Sequence, residues 1–411
     1  MPSPRISPLR FFGSISIILL AVAMVVTPAA QAQTGHLLHD FTGGPNDGSS
    51  PWGLIAVDQA GNVYGSTAFG GHGGNGCDSG CGMVFRAQRR NGNYLYTPLY
   101  LFRSGTDGAQ PLAGVMLGPD GVLYGTTTIG GGTGCGATGC GTVFKLTPPP
   151  TFCRMVLCSW DETVIYSYTG GDGPGNFYSG VVVDNAGNVY GSSFGGGSFQ
   201  NGTVFELSPA GGGNYTETNL YSFTGADDGG ESMVTVARDA AGNIYGGTTY
   251  GGANDSGTMF KLIHEAGGYT FQLLHTFDDN NGGGMPQGSV VLDSAGNLYG
   301  TTGLGGGLFQ ITPSGVYTLI DTVVQDNQAP INIDSAGNIY GTTYGGGQND
   351  DGSAFKDTYS GGTWTHHVVF SFGGQFGGLP LSDVGLDSSG NMYVTATFGG
   401  EDQGTLVQVT P

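Results

Sequence analysis

Acidic side chains in the glycine-rich loops are the residues of this sequence best suited to chemistry. Four of them stand at comparable places along the chain: Asp107, Asp172, Asp228 and Asp278. Short flexible loops that carry carboxylates suit Ca²⁺, which accepts aspartate and backbone oxygens in an adaptable geometry. The alternative is a solvated turn, because Asp-Gly is a favoured turn pair that needs no ligand. No segment matches the twelve-residue calcium loop, so we expect no cofactor, with Ca²⁺ at these four residues as the candidate exception.

One carboxylate pair, Glu231 and Asp383, could act as an acid and a base. Each precedes an apolar run that predicts an inner β-strand, so the two side chains could face each other across a central channel. Hydrolysis of glycans uses such a pair. The alternative is an exposed loop carboxylate. The sequence contains no phosphate-binding loop and no paired-histidine metal motif. We therefore predict no catalytic residue, and Glu231 and Asp383 are the candidates to test.

The six cysteines form three pairs of near neighbours: Cys77 with Cys81, Cys135 with Cys140, and Cys153 with Cys158. In an exported chain such pairs predict local disulfides that hold long loops. A zinc site is the alternative. It needs four converging ligands, whereas the seven histidines are scattered along the sequence.

A repeated phrase must position all of these residues. Six of its seven copies contain Asp-x-x-Gly-Asn, a turn in which the Asp side chain can bond the backbone two residues on and the Gly can adopt a positive φ. Apolar runs before and after this turn predict two strands, and two more β-prone runs follow, so each repeat predicts strands a, b, c and d. The repeat length is roughly 55 residues. Its seven tyrosines are Tyr64, Tyr124, Tyr190, Tyr245, Tyr299, Tyr340 and Tyr393.

Seven four-stranded antiparallel repeats predict an all-β fold, a seven-bladed β-propeller, because radial repetition protects the edges of the sheets. The segment His36 to Phe41 has the character of a d strand without partners, while the last repeat ends after strand c at Thr405 to Val409. We therefore expect the N-terminal strand to complete the C-terminal blade and close the ring. An open solenoid is the alternative. Helices should be nearly absent, since no segment beyond the N-terminal apolar run has a helical period.

Two sets of aromatic residues have different predicted roles. The seven repeat tyrosines fit a core layer between blades, because seven equivalent positions do not mark one site. The second set lies in the b–c loops, directly before glycine pairs. In a propeller the b–c and d–a loops share one face, so we expect this set to line a ligand-binding surface beside the acidic loops. Its members are Phe69, Phe194, Tyr250, Tyr344 and Phe398.

The phrases "LYGTT" at Leu298 to Thr302 and "GTVFKLTP" at Gly141 to Pro148 resemble the GloVer-type tandem repeat of bacterial exported proteins. The resemblance covers nearly the whole chain after residue 32. It implies export and a propeller-like array, and it implies no catalytic residue. Members of that family join their repeats to varied C-terminal surface anchors, and this sequence departs from the pattern because no anchor follows its last repeat.

The N-terminal segment predicts export. Arg5 and Arg10 flank the start of an apolar run, and Ala30-Gln31-Ala32 offers small residues before a cleavage point. A membrane span is the alternative, but the apolar run is short. We expect a signal peptide at residues 1–32 and a single propeller domain at residues 33–411. The protein should be secreted, periplasmic or at the cell surface.

The chain after residue 32 has 9 Lys and Arg residues against 31 Asp and Glu residues, a formal charge of −22. Such a surface disfavours nucleic acid and anionic membranes as partners. We expect a monomer without a transmembrane segment that binds an extracellular glycan or a cell-surface protein through its glycine, aspartate and aromatic loops. The alternatives are a divalent-cation-dependent polysaccharide hydrolase or lyase, and an inert structural repeat protein.

Overall fold

Each repeat forms one four-stranded antiparallel blade, and the seven blades form a ring. The computed structural model describes residues 34–74, 76–132, 138–150, 159–168, 174–175, 177–279, 283–304, 307–322, 329–399 and 402–410. The predicted signal peptide lies outside these ranges, as do four residues with predicted roles: Cys135, Cys153, Cys158 and Asp172.

The first three blades follow an N-terminal strand, β1 (Thr34–Asp40). Blade 1 contains β2 (Gly48–Val57), β3 (Val63–Gly70), β4 (Met83–Arg90) and β5 (Asn93–Leu101). Blade 2 contains β6 (Val115–Leu117), β7 (Leu123–Thr127), β8 (Thr142–Thr147) and β9 (Asp161–Ser167). Blade 3 contains β11 (Val181–Val183), β12 (Val189–Ser192), β14 (Thr203–Gly211) and β15 (Asn214–Ser222). Two short strands in its loops, β10 (Pro174–Gly175) and β13 (Gly195–Gly196), pair with each other as a separate small sheet.

The remaining blades continue in the same order. A short strand, β16 (Val234–Thr235), precedes blade 4, which contains β17 (Ala237–Arg238), β18 (Ile244–Thr248), β19 (Thr258–Glu265) and β20 (Gly268–Thr276). Blade 5 contains β21 (Gly284–Leu292), β22 (Leu298–Leu304), β23 (Leu308–Ile311) and β24 (Tyr317–Asp321). Blade 6 contains β25 (Asn332–Ile333), β26 (Ile339–Thr343), β27 (Ser353–Ser360) and β28 (Thr363–Ser371), and blade 7 contains β29 (Gly385–Leu386), β30 (Met392–Ala396) and β31 (Thr405–Thr410).

Helical structure is confined to short 3₁₀ turns in the described part of the chain, as the sequence predicts. These turns span Gly105–Asp107, Pro119–Gly121 and Gly374–Phe376. No helix among the described residues is long and apolar enough to cross a membrane.

The two ends of the chain close the ring. Strand β1 pairs antiparallel with β31, from Thr34 opposite Thr410 to Asp40 opposite Thr405. This pairing makes β1 the outer strand of blade 7. It covers the edge of β31 that would otherwise be unpaired. Phe41 follows β1 and is fully buried, with its ring 5.3 Å from that of Phe85 in blade 1. The predicted seven-bladed closed ring is confirmed.

The Asp-x-x-Gly-Asn turn is held by its own side chains. Asp58 accepts the backbone N–H groups of Ala60 and Asn62, each at 2.9 Å, and the Asn62 side chain donates to the second carboxylate oxygen at 2.7 Å. The Tyr64 hydroxyl donates to that same oxygen at 3.1 Å, which links the turn to the repeat tyrosine. Gly61 has a φ of 78°, which favours glycine. The same tyrosine-to-aspartate bond recurs at Asp184, Asp239, Asp293, Asp334 and Asp387.

A glycine follows the tyrosine in six repeats and makes room for the phenylalanine of strand c. A Cβ on Gly65 would lie 2.6 Å from Cζ of Phe85. The last repeat has Val394 in place of this glycine and Val407 in place of the phenylalanine, and the two valines lie opposite each other and are fully buried. Two medium side chains thus replace a small and a large one, which is a volume-conserving exchange.

The inner strands of neighbouring blades touch each other around the ring axis. Strand β16 pairs parallel with β21, and a single parallel bridge joins Leu54 to Gly114. A Cβ on Gly114 would lie only 2.1 Å from the backbone nitrogen of Leu54, so a larger residue would force the two strands apart. These contacts bring the inner strands of neighbouring blades side by side.

Candidate functional site

The b–c loops and the d–a loops meet on one face of the ring, which we call the loop face. Isolated antiparallel bridges join the two kinds of loop at three places. They pair Ala109 with Ile129, Gly230 with Tyr250, and Gly378 with Phe398. Because such a bridge needs two segments to run side by side, the loops that carry the aromatic residues and those that carry the aspartates are neighbours.

Two of the five predicted loop aromatics are brought together with a third residue. The rings of Phe194 and Tyr250 are 6.5 Å apart and perpendicular, and the ring of Tyr178 lies 5.4 Å from that of Phe194. Tyr178 belongs to the preceding d–a loop, and 44% of its surface is exposed. We call Tyr178, Phe194 and Tyr250 the aromatic cluster. It forms one continuous apolar surface on the loop face.

The other three predicted aromatics stand apart. Tyr344 is 46% exposed and Phe398 is 51% exposed, whereas Phe69 is half-buried. None of the three makes a ring contact with another aromatic residue in the described ranges. The structure therefore gathers part of the predicted set and leaves Phe69, Tyr344 and Phe398 as single positions.

A cavity of about 240 Å³ opens beside the aromatic cluster, where the inner strands begin. Tyr178 belongs both to its wall and to the aromatic cluster. Ala113 in its wall directly precedes Gly114, which bridges to the inner strand of blade 1. We call this cavity the axial cavity. Its lining comes from the inner edges of six blades: Trp52, Gly53, Leu112, Ala113, Tyr178, Met233, Thr235, Gln287, Gly288 and Pro330.

Three polar-tipped side chains of the axial cavity make no side-chain hydrogen bond with any other described residue: Trp52, Tyr178 and Gln287. Each can therefore donate to a ligand, and the Gln287 amide and the Tyr178 hydroxyl can also accept. No Asp, Glu, Lys, Arg or His is present in the lining. The cavity is thus uncharged, with an aromatic wall and several free hydrogen-bonding groups.

The predicted calcium ligands that the structure describes hold the d–a turns. The Asp107 carboxylate accepts the Tyr100 hydroxyl at 2.5 Å and the Arg103 backbone N–H at 2.6 Å. Asp228 in the same way accepts the Tyr221 hydroxyl and the Thr224 backbone N–H, both at 2.9 Å. Asp278 forms a backbone bridge with Gly283. These contacts explain why aspartate stands in the loops without requiring an ion, and Ca²⁺ remains a prediction.

The two candidate catalytic carboxylates have different surroundings. Asp383 is buried, and one of its oxygens accepts the Ile55 backbone N–H at 2.6 Å. Desolvation raises the pKa of Asp383 to about 8, and the bond from Ile55 opposes this only in part. Glu231 is half-buried, and its backbone N–H donates to the Asn201 carbonyl at 2.7 Å. No hydrogen bond or ion pair joins Glu231 to Asp383 among the described residues, and their catalytic role remains a prediction.

The stretch Gly191-Ser192-Ser193-Phe194-Gly195 matches the Gly-x-Ser-x-Gly spacing of hydrolase nucleophiles. Ser193 is fully buried here. Its hydroxyl donates to the Gly195 carbonyl at 2.8 Å and lies 3.0 Å from the Thr203 hydroxyl. The serine therefore stabilises the b–c loop below Phe194 and is not presented to a substrate.

The Cys77–Cys81 disulfide is present, as predicted, in the b–c loop of blade 1. Cys140 is also disulfide-bonded, and its partner lies outside the described residues. The predicted pair of Cys153 and Cys158 lies wholly outside them.

A second and larger cavity, of about 710 Å³, lies between blades 5 and 6 at the a–b turns. Trp364 and Tyr359 form its aromatic wall. Its carboxylates are already bonded within the protein, since Asp293 and Asp334 each hold an Asp-x-x-Gly-Asn turn. We call this cavity the blade 5/6 cleft.

Comparison with known families agrees with the repeat that the sequence displays. Residues 135–332 match the family model described as the Gloeobacter/Verrucomicrobia repeat. Residues 135–332 therefore resemble this repeat. The predicted resemblance to GloVer-type repeats is thereby confirmed. No curated protein matches the chain in sequence.

Solved structures resemble this chain in fold alone. Streptogramin B lyase is 12% identical with a TM-score of 0.56, and the alignment covers 92% of this chain and 97% of the lyase. A putative 6-phosphogluconolactonase from Bacteroides uniformis is 11% identical with a TM-score of 0.53, over 85% of this chain and 99% of that one. A chain of the mitotic checkpoint complex is 12% identical with a TM-score of 0.54, over 99% of both chains. These proteins differ in function, so the fold does not assign one.

The sequence analysis missed Trp52, Tyr178 and Gln287. They stand where an inner strand begins or just before one, outside the repeated phrase. Seven such places exist, and a comparison of the residues there across the Gloeobacter/Verrucomicrobia repeats would have revealed an aromatic or amide side chain in three blades. Which of these side chains lack a partner depends on loop conformation, which the sequence does not display.

Proposed function

We propose that the protein is a non-catalytic binding module that holds the uncharged end of an extracellular glycan in the axial cavity and on the aromatic cluster. The observation that carries this proposal is the convergence of Trp52, Tyr178 and Gln287, whose polar groups have no partner within the described chain, on an open cavity. Trp52 and Gln287 are half-buried and Tyr178 is 44% exposed, so their polar groups are open to solvent. Open hydrogen-bonding groups beside an aromatic surface suit a ligand.

The charge of the site selects the ligand. The axial cavity has no ionisable group, while the chain as a whole has a formal charge of −20. An anionic polysaccharide would meet a repulsive surface and no cation in the cavity. A neutral sugar needs apolar faces for its C–H groups and hydrogen-bond partners for its hydroxyls, and the aromatic cluster and Gln287 supply both kinds of contact.

The axial cavity is large enough for one end of a glycan chain but not for a whole small molecule of the usual size. Pockets for whole small molecules usually measure about 300–1,000 Å³, and 240 Å³ lies below that range. The cluster of Tyr178, Phe194 and Tyr250 extends the surface outward from the cavity, which suits a glycan that continues over the loop face.

Catalysis is the rival proposal. A divalent-cation-dependent polysaccharide hydrolase or lyase needs an acid, a base or a metal at the bond that breaks. The fold neighbours include proteins named as a lyase and a putative lactonase, but their identities of 11% and 12% support only the fold. Asp383 is buried against the Ile55 backbone, which favours a structural role for its carboxylate.

Glycan-array binding tests the proposal, with affinities measured by calorimetry on the glycans retained. The double variant Phe194→Ala/Tyr250→Ala should weaken binding at least tenfold without unfolding the chain. Tyr344→Ala/Phe398→Ala is the matched control, because it removes two aromatics from the same face but outside the cluster, and it should bind as the wild type does. Gln287→Leu should also weaken binding, through the lost hydrogen bonds alone.

Three outcomes would contradict the proposal. The first is that no glycan on the array binds. The second is that Tyr344→Ala/Phe398→Ala loses as much affinity as Phe194→Ala/Tyr250→Ala. The third is that Trp364→Ala in the blade 5/6 cleft removes binding while Phe194→Ala/Tyr250→Ala does not. Shortening of the glycan during the assay would support the hydrolase or lyase instead. Repeating the measurement in EDTA and in Ca²⁺ tests the calcium prediction.

Export and the monomeric state belong to the same proposal. Cell fractionation with N-terminal sequencing should find a mature chain that begins at Gln33 outside the cytoplasm, and size-exclusion chromatography with light scattering should give a monomer. A chain that keeps residues 1–32 in the cytoplasm would contradict the extracellular ligand.

A further inference from the structure

A cluster of two aspartates and a histidine lies between blades 5 and 6. Nδ1 of His366 in β28 is 2.7 Å from Oδ2 of Asp321 in β24 and 2.8 Å from Oδ1 of Asp357 in β27. The three ligand atoms all lie within 4.8 Å of one another. Asp357 is only 1% exposed, and the other two side chains are largely buried. We call these three residues the blade 5/6 triad.

The triad departs from the repeat at a core position. The residue of strand c that lies opposite the first residue of strand b is aliphatic and fully buried in six blades, and it is Asp357 in blade 6. The six aliphatic residues are Ala87, Leu146, Leu207, Leu262, Ile311 and Val409. A buried carboxylate in place of leucine is costly unless it is paired, so its presence here calls for a partner of opposite charge.

The other two members replace an aromatic stack. Between blades 7 and 1, His39 stacks on Tyr96 with ring centroids 3.5 Å apart, and between blades 4 and 5, His275 stacks on Tyr317 at 4.0 Å. The strand register places Asp321 at the position of His39 and His275, and His366 at the position of Tyr96 and Tyr317. The blade 5/6 interface thus differs at three positions from the interface between blades 7 and 1 and from that between blades 4 and 5, and all three side chains converge.

Hydrogen bonding within the triad is incomplete. Oδ2 of Asp357 and Nε2 of His366 are both buried and have no hydrogen-bond partner among the described residues. Nδ1 of His366 faces an oxygen of both carboxylates, and a single hydrogen on Nδ1 can point at only one of them. A cation placed among the three ligand atoms would contact all of them at once.

We propose that the blade 5/6 triad binds one divalent transition-metal ion, with Zn²⁺ or Mn²⁺ as its probes. Ligand atoms about 2.0–2.1 Å from a tetrahedral ion lie about 3.3–3.4 Å apart. The 2.7 and 2.8 Å measured from Nδ1 are hydrogen-bond distances that would widen when the ion binds. Two carboxylates and a neutral imidazole carry a charge of −2, which the ion balances. Imidazole favours transition metals over Ca²⁺, which prefers oxygen ligands alone.

The position of the triad gives the ion a structural role. The outer strands of blade 5, β23 and β24, have 4 and 5 residues, whereas those of blade 6 have 8 and 9. Blade 5 therefore has the shorter outer hairpin at this interface. An ion shared by Asp321 of blade 5 and by Asp357 and His366 of blade 6 connects the short hairpin to its neighbour.

The repeat itself supplies the variants for the test. Asp357→Leu restores the residue of blades 2, 3 and 4, and His366→Tyr restores the residue of blades 1 and 5, so both should fold. Asp350→Asn is the matched control, because it removes an exposed carboxylate of blade 6 outside the triad. Each protein is stripped with EDTA, dialysed and incubated with Zn²⁺, Mn²⁺ or Ca²⁺, and then bound metal is measured by plasma mass spectrometry and Tm by scanning fluorimetry.

The wild type and Asp350→Asn should retain one Zn²⁺ or Mn²⁺ per chain, with a Tm that rises with the logarithm of the free metal concentration. Asp357→Leu and His366→Tyr should lose that ion and its Tm increase. The proposal is overturned if the wild type retains neither metal, if Asp357→Leu retains as much as the wild type, or if Ca²⁺ gives the same increase in Tm as the transition metals.

Discussion

Replacement of Tyr190 by alanine is expected to destabilise the protein strongly, because this tyrosine combines core packing with a polar anchor. The side chain is 3% exposed, and its ring lies 4.9 Å below the guanidinium of Arg238. Its single hydroxyl hydrogen is shared between Glu206, at 3.2 Å, and Asp184, at 3.4 Å. Emptying a buried aromatic site costs about 3–5 kcal/mol of unfolding free energy.

The phenylalanine variant separates the two contributions. Tyr190→Phe keeps the ring and its contact with Arg238 but removes the hydrogen bonding to the two carboxylates, so it should cost about 1.5–3 kcal/mol, the range for bonds to charged groups. Tyr344→Ala is the control, because its side chain is 46% exposed on the loop face, and exposed positions usually change stability by no more than about 0.5 kcal/mol.

Urea unfolding followed by tryptophan fluorescence measures all three variants. The expected order of destabilisation is Tyr190→Ala, then Tyr190→Phe, then Tyr344→Ala. If Tyr190→Ala costs no more than Tyr344→Ala, then the repeat tyrosines are not the packing layer between blades. The assignment of the loop aromatics to ligand binding would then also fail, because it assumes that the repeat tyrosines form the core.

Two further predictions concern ring closure and pH. Deletion of residues 34–41 should lower Tm sharply and promote association through the exposed edge of β31, and a monomeric deletion variant with unchanged Tm in light scattering and fluorimetry would refute closure by β1. Asp383 has a pKa raised by burial from 3.8 to about 8, so its favourable contribution to stability is complete below pH 4 and is lost as pH rises to 8. Asp383→Asn should therefore gain Tm over the wild type progressively between pH 4 and pH 8, and a difference independent of pH would show that the carboxyl titrates normally.

The fold was predictable because the same pattern of strands and turns recurs along the sequence. The aspartate, glycine and asparagine of each turn specify a local hairpin, and the order of strands at the two termini requires β1 to complete blade 7. Local turn chemistry needs only residues within a few positions, as the bonds from Ala60 and Asn62 to Asp58 show. Such contacts can be inferred from one stretch of sequence.

The candidate sites were less predictable because they depend on contacts between repeats. Phe194 and Tyr250 belong to the same predicted set as Phe69, yet only the first two meet, through the path of their loops and the insertion of Tyr178. The axial cavity likewise combines residues from six blades. No spacing within one repeat specifies these distances.

Positions that depart from the repeat also indicate function or packing. Which of the two they indicate depends on where the compensating substitution lies. Val394 and Val407 replace glycine and phenylalanine within one blade, and because they are direct partners across two strands, the exchange conserves volume and indicates packing. Asp357 has no such compensation inside its own strand pair, since it lies opposite Ile339. Its compensation comes from His366, which also faces Asp321 of the preceding blade. Asp357 is thus a charged residue at an otherwise aliphatic position, and two other repeat positions beside it also carry polar residues. This combination indicates a polar site between blades and not a weakened core.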